Sequence, residues 1–335
     1  MQHSIALVTG ATSGLGNAAA RLFAKGGWHE IIVTGRSLAG ARQADAQLAA
    51  ETKTQDFTPL ELDLNAPASV QSALAALVER GQPIDFLLLN AGWIGGKERV
   101  LTAAGIEATQ APLIGHHQLT VGLLRANLLS PNARIVIAGS ESARGDVPLF
   151  GYTDVAALAA SQHQGDRSAA VEALLRSGPN VKYERNRAHS DAKLIAAWWA
   201  AALSRRLPPG MAVYAVSPGS TPDTKGLRNA GPALKWLMVP LMKLIPGMSH
   251  TPETAARRYL QASAFGTDVS GQFFASAPKK FTGPIEAMRQ PHFVDRINQE
   301  AAWQAVVEVS GVDFSPVRTA SPSGPPITKR PVGLT

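Results

Sequence analysis

Thr9-Gly10-Ala11-Thr12-Ser13-Gly14-Leu15-Gly16 follows directly on the apolar run Ile5-Ala6-Leu7-Val8 and opens an amphipathic stretch that reaches Lys25. A strand, a glycine-rich turn and a helix in that order make a seat for a dinucleotide's pyrophosphate. The phosphates must approach backbone amides at the helix N-terminus, a Cβ there would block them, and the helix dipole attracts their charge. Glycine at 10, 14 and 16 has that steric reason, with Thr12, Ser13 and Leu15 filling the turn. The plain alternative is a glycine-rich turn without a ligand. Its place between a strand and a helix, at the start of an alternating chain, argues against that.

Outward from this turn the alternation continues. Ile31-Ile32-Val33 leads to a helical pattern over Ala41–Glu51, Leu60-Glu61-Leu62 precedes one over Ser69–Glu79, and Phe86-Leu87-Leu88-Leu89 precedes a helix within 107–129. Ile135-Val136-Ile137 follows, then Leu194–Leu207, Val213–Val216 and Gln272-Phe273-Phe274. Near-continuous apolar strands alternating with amphipathic helices describe an α/β chain: one doubly wound, Rossmann-type domain over residues 1–315 with about seven parallel strands. Three segments break the rhythm. Residues 145–187 form a polar insertion with one expected helix, Ser168–Arg176. Residues 220–250 carry four prolines around the apolar run Leu234–Met248 and read as a substrate lid. Residues 316–335, with five prolines, read as a disordered tail.

Composition excludes several classes. The 335 residues are 45% hydrophobic and 17% charged, which rules out wholesale disorder. The absence of cysteine excludes a disulfide framework, a thiolate zinc site and a cysteine nucleophile. No apolar run approaches the roughly 20 residues of a membrane span, and the strand-like start at Ile5 leaves no room for a secretory signal, so a cytoplasmic enzyme is expected. The net charge of +7 includes +3 from Arg318, Lys329 and Arg330 in the tail, and no basic stripe is interleaved with aromatics, so no nucleic-acid partner is expected. His116-His117 are consecutive on a helix, point about 100° apart and cannot chelate together, so packing is their reading and no metal is expected.

The second strand ends Thr34-Gly35-Arg36-Ser37. Where an NAD site carries an acid for the ribose 2′-hydroxyl, Arg36 offers a guanidinium suited to a 2′-phosphate, which favours NADP(H) over NAD(H). The bland reading of Arg36 is a solvated surface arginine. With Asp63-Leu64 after the third strand, Leu89-Asn90-Ala91-Gly92 after the fourth and Ser217-Pro218-Gly219 after the sixth, the chain resembles the short-chain dehydrogenase/reductase family from residue 5 to about 310. Within that family it resembles the retinol dehydrogenase and protochlorophyllide reductase branch. The resemblance implies that Asp63 and Leu64 contact adenine, that Asn90, Ala91 and Gly92 support and border the cofactor, and that Pro218 and Gly219 lie near the nicotinamide amide.

The family's catalytic groups carry over only in part. Ser140, at the end of Ile135-Val136-Ile137-Ala138-Gly139-Ser140, matches the family serine, and Lys193 matches its lysine. The tyrosine position is His189, and Pro112 stands where the fourth-helix asparagine would be. Residues 189 and 193 are one turn apart on one helical face and can reach the same ligand. The lysine's charge disfavours imidazolium, so His189 is expected to be mostly neutral at pH 7. Three roles stay open: an acid/base with a low-pH optimum, a substrate-orienting group with the proton supplied elsewhere, or a member of a site that binds nucleotide without turnover. Tyr152 and Tyr183 are two further hydroxyls that the chain could fold toward Ser140. Trp198-Trp199 lies on a helix that resemblance marks as a common dimer contact, so core packing or a homodimer interface is expected there. Leu234, Leu237 and Met238 point to an apolar or aromatic substrate. The reading is an NADPH-dependent oxidoreductase with Ser140, His189 and Lys193 at its centre, against a nucleotide-binding pseudoenzyme as the competing class.

Overall fold

The structure is a computed structural model and describes residues 4–178, 180–221 and 247–314. Its centre is one sheet of eight strands in the order β3-β2-β1-β4-β5-β6-β7-β8. The strands are β1 (Ile5–Val8), β2 (Glu30–Gly35), β3 (Phe57–Glu61), β4 (Ile84–Leu89), β5 (Leu129–Ala138), β6 (Ala212–Val216), β7 (Phe273–Ser276) and β8 (Ile285–Ala287). The first seven run parallel, as the apolar runs predict. The three-residue β8 pairs antiparallel with β7 and is an addition to the seven expected strands. Its residues Ile285-Glu286-Ala287 are too few to carry a period-two signal.

Alternate residues of each central strand feed two separate cores. Leu7, Leu87, Leu89, Ile135, Ile137 and Val213 face one layer. Ala6, Val8, Phe86, Leu88, Val136 and Tyr214 face the other. This is why the strands read as unbroken apolar runs: both faces are buried. The first layer includes α3 (Pro67–Arg80), α4 (Ala111–Arg125), α7 (Arg185–Ser204), the short α9 (Pro291–Val294) and α10 (Arg296–Ser310), and the second includes α1 (Gly14–Lys25), α2 (Leu38–Thr52) and α8 (Pro252–Gln261). The strand order reverses between β1 and β4, so a crevice opens at their carboxyl ends, where ligands of such sheets bind.

The insertion holds two helices, α5 (Val155–Gln162) and α6 (Arg167–Arg176), where one was expected. The alanine-rich α5 lacks a clear apolar stripe, and its start is marked instead by the Asp154 side chain, which accepts from the Ala157 amide. Within the insertion, α6 is fastened to the start of α10: Arg167 donates to Asp295 at 2.8 Å and to Asn298 at 2.9 Å. The expected 220–250 lid and the 316–335 tail fall largely or wholly outside the described residues. Among the described residues, no helix is long and apolar enough to cross a membrane.

Trp198 and Trp199 are buried within the single chain. Trp198 Nε1 donates to the His292 carbonyl at 2.6 Å, and Trp199 Nε1 donates to His117 Nδ1 at 3.0 Å. His117 in turn meets Trp303 of α10, with ring centroids 5.2 Å apart. Core packing is the outcome for both tryptophans.

At the carboxyl ends of β5, β6 and β7, one buried carboxylate ties three loops together. Glu141 accepts from Arg258 Nη1 at 3.1 Å, from Ser276 Oγ at 3.0 Å and from the Ser217 hydroxyl. Arg258 also donates to the Ser217 and Gly283 carbonyls and to Ser276 Oγ. Cutting one partner of such a buried pair leaves the other charge uncompensated. Glu141→Ala is expected to cost about 3–5 kcal/mol in denaturant-induced unfolding. A loss below about 1 kcal/mol, the range of surface pairs, would show that the cluster does not hold these loops.

Candidate functional site

The turn after β1 has the form that a phosphate requires. Gly10 and Gly14 adopt φ of +68° and +61°, in the left-handed region that suits glycine. A Cβ on Gly16 would lie 2.5 Å from the Gly10 carbonyl oxygen and 2.6 Å from Asn90 Nδ2, so glycine there lets α1 close onto the sheet. Ser13 precedes α1 without a side-chain cap, and no acidic residue stands in the first turn. The first amides of α1 thus keep the unmatched positive end of the helix. Asn90 braces the turn by donating through Nδ2 to the Thr9 carbonyl at 3.0 Å. Arg36 is exposed at the end of β2, and among the described residues no ion pair engages it. Asp63 takes the Asn65 amide at 3.0 Å. Leu64 is buried against α4 at Gly115, where a Cβ would lie 2.3 Å from the Leu64 carbonyl oxygen. Gly219 has φ of +82°, and its amide donates to Ser217 Oγ at 3.3 Å, so Pro218 and Gly219 continue the Glu141 cluster.

Lys193 points from α7 into the end of the sheet. Its Nζ donates to the Ala138 carbonyl at 2.7 Å and would lie 3.6 Å from a Cβ on Gly92. Burial alone lowers its pKa to about 8. One of three ammonium hydrogens is spent on Ala138, which leaves two for a ligand. His189, one turn earlier, is 8% exposed, with the Phe150 ring centroid 6.2 Å away. Burial first and Lys193 second drive its pKa down to about 3, with a backbone hydrogen bond at Trp93 working the other way. It is a neutral imidazole at any pH near 7, as expected, and burial outweighs the lysine as the cause. Its Nδ1 is buried without a partner among the described groups.

A small cavity, with room for water of about 30 Å³, lies beside these groups; Gly92, Trp93, Pro112, His116, His189 and Lys193 are among the residues that line it. Pro112 is in the first turn of α4, where its missing amide hydrogen is not needed by the helix, and it brings no polar group. His116, one turn on, does. Its Nε2 lies 2.9 Å from Thr9 Oγ1, and burial, then Lys193, lowers its pKa to about 3. Packing was the reading for both histidines; it holds for His117 and is incomplete for His116. The available signal was the four-residue spacing from Pro112, which sets both on one face.

Ser140 is not among the residues lining the cavity. It caps the turn Glu141–Arg144, where its Oγ accepts from the Ser142 amide at 3.2 Å and the Ser142 hydroxyl at 3.0 Å, and its own hydroxyl hydrogen is given to no described group. Neither tyrosine enters the cavity. Tyr152 packs against His292, ring centroids 4.8 Å apart, and Tyr183 donates to the Gly96 carbonyl at 3.1 Å. Burial raises the pKa of both, which makes them weaker acids than a free tyrosine. Among the described residues, no group of three or more His, Asp or Glu could hold a metal ion.

The chain is 30% identical over 246 residues to the WW domain-containing oxidoreductase of Danio rerio, covering 73% of this chain and 54% of that protein. It is 28% identical over 270 residues to the chloroplastic protochlorophyllide reductase of Chlamydomonas reinhardtii, covering 77% and 65%. The chain thus spans about half to two thirds of the length of these curated relatives. Its fold matches that of an uncharacterized protein from Mycobacterium paratuberculosis, with a TM-score of 0.65, 20% identity and coverage of 93% and 95%. It also matches a short chain dehydrogenase from Burkholderia cenocepacia in complex with NADP, with a TM-score of 0.56, 24% identity and coverage of 81% and 95%. The family model for short chain dehydrogenase matches residues 4–161. Through those residues, just under half of the chain, it is similar to the short-chain dehydrogenase family.

Proposed function

We propose that the chain is an NADPH-dependent oxidoreductase acting on an apolar or aromatic substrate at a carbonyl, imine or activated C=C bond. The observation that carries this reading is the pairing, at one end of one sheet, of an uncapped helix N-terminus with a buried lysine that keeps two hydrogens free. Both features suit a dinucleotide: the amides of α1 take its pyrophosphate, Lys193 takes ribose hydroxyls, and Arg36 takes a 2′-phosphate. NADP in the Burkholderia cenocepacia relative supports the same choice. Bound there, the cofactor supplies a hydride.

The protein's part is to bind, orient and manage the proton. Imidazolium at His189 is disfavoured twice, by burial and by Lys193. We therefore assign His189 to orienting the substrate through a hydrogen bond and not to supplying its proton. Lys193, at about 8, holds a proton that can be given near neutral pH. Ser140 offers a free hydroxyl hydrogen two residues beyond the Ala138 carbonyl that Lys193 holds, and we give it the substrate's oxygen or nitrogen.

Two experiments bear on this. Arg36→Ala is expected to weaken NADPH binding by about tenfold to a hundredfold, the loss of a charge-assisted contact, and to leave NADH binding unchanged. Equal weakening of both would remove Arg36 from the 2′-phosphate. The second is a panel of aldehydes, ketones, enones and cyclic imines, followed by NADPH absorbance. Turnover is expected, with a rate that falls as pH rises through about 8, because the acid form of Lys193 is lost there. A rate limb near pH 6–7 that disappears in His189→Phe would give the proton to His189 instead. Tight NADPH binding with no consumption across the panel would favour the pseudoenzyme.

A further inference from the structure

We infer that the cavity between α4 and α7 is a buried water site, and that His116 acts through that water to hold His189 in a single neutral tautomer. Thr9 is the neighbour that fixes the hydrogen on His116. Its Oγ1 accepts the Asn90 amide at 2.8 Å and the Ala91 amide at 3.0 Å. Those two donors fill both lone pairs of a hydroxyl oxygen. The remaining neighbours, His116 Nε2 at 2.9 Å and the Leu88 carbonyl at 3.2 Å, compete for its one hydrogen. A third donor has no lone pair to meet, so His116 Nε2 is an acceptor. His116 is neutral, fully buried and beside Lys193, so its hydrogen sits on Nδ1.

Two facts then meet in one place. His189 Nδ1 is a buried ring nitrogen without a partner among the described residues, and such an orphan is costly if left dry. The cavity that His116, His189 and Lys193 line has about 30 Å³ of room. One water needs roughly 10–15 Å³ and two to four polar partners. The walls supply three: the His116 Nδ1–H and the unspent hydrogens of Lys193 as donors, and His189 Nδ1 as acceptor. A water placed among them accepts from His116 and Lys193 and donates to His189 Nδ1. That donation excludes a hydrogen on Nδ1, so the backbone hydrogen bond at Trp93 falls to Nε2, and the two together fix His189 as the Nε2–H form. His116 is thus a positioning residue. With Pro112 apolar at the adjacent position of the same face, the histidine one turn later is the group on α4 that anchors the water. The consequence for substrate orientation rests on the role proposed above for His189, whereas the tautomer itself does not.

The test is nitrogen-15 NMR of the full chain carrying ring-labelled histidine, without cofactor, at pH 7.5. Protonated and unprotonated ring nitrogens of neutral imidazole resonate far apart, so each tautomer is read directly, and loss of signals in His189→Asn assigns the residue. The expected result is His116 with its hydrogen on Nδ1 and His189 with its hydrogen on Nε2. In His116→Leu the His189 signals are expected to shift toward a tautomer mixture. In His116→Gln, whose amide keeps an acceptor for Thr9 and a donor for the cavity, the single form is expected to return. His189 carrying its hydrogen on Nδ1 in the wild-type chain would overturn the inference, as would an unchanged His189 in a folded His116→Leu chain. If His116→Leu fails to fold, the wild-type tautomers and the His116→Gln spectrum decide the matter. A chain that binds NADPH but never consumes it gives the same spectra, so failure of the proposed function and failure of this inference are distinguishable.

Discussion

A buried ammonium that meets no carboxylate partner among the described residues is the constraint around which this site is arranged. Lys193 gives one hydrogen to the Ala138 carbonyl, and burial alone sets its lowered pKa, with no acid opposing it. An isolated charge in such a place is costly unless hydrogen bonds replace its water. The surroundings follow from that cost. Both nearby imidazoles, His116 and His189, are held neutral by burial and by the same ammonium. The unspent hydrogens of Lys193 call for oxygen acceptors, which fits the ribose of a dinucleotide seated by α1.

The scaffold explains why these groups meet. Thr9, Gly92, Ala138 and Lys193 come from four separate segments, and the sheet order β1-β4-β5 brings three of those segments together at one edge of the crevice. Thr9 serves as the joint: its hydroxyl bonds the Asn90 and Ala91 amides on one side and His116 on the other. Further along the same edge, Glu141 links the segment after Ser140 to β6 and β7 through Ser217, Arg258 and Ser276. The floor of the crevice is thereby fixed from both ends.

Much of this was legible in the residues. The strand-turn-helix around Gly10, Gly14 and Gly16 is local, so its geometry follows from the spacing, and Arg36 and Asn90 sit at predictable strand ends. The pair His189 and Lys193 was legible because helical periodicity puts them together. What escaped were contacts made across sequence distance. Glu141 and Arg258 are 117 positions apart, and no local pattern joins them. His116 and its neighbour His117 look alike in sequence, yet one borders the cavity and the other packs between Trp199 and Trp303. The helix α5 escaped because its start depends on the Asp154 cap more than on an apolar stripe.

The central claim is that α1 seats the phosphates of a dinucleotide at this crevice. Calorimetric titration of the full chain with NADPH tests it most directly. Saturable heat at one site per chain is expected, lost when a bulky side chain replaces Gly14. No heat with either NADPH or NADH would contradict it, whatever the sheet around the crevice.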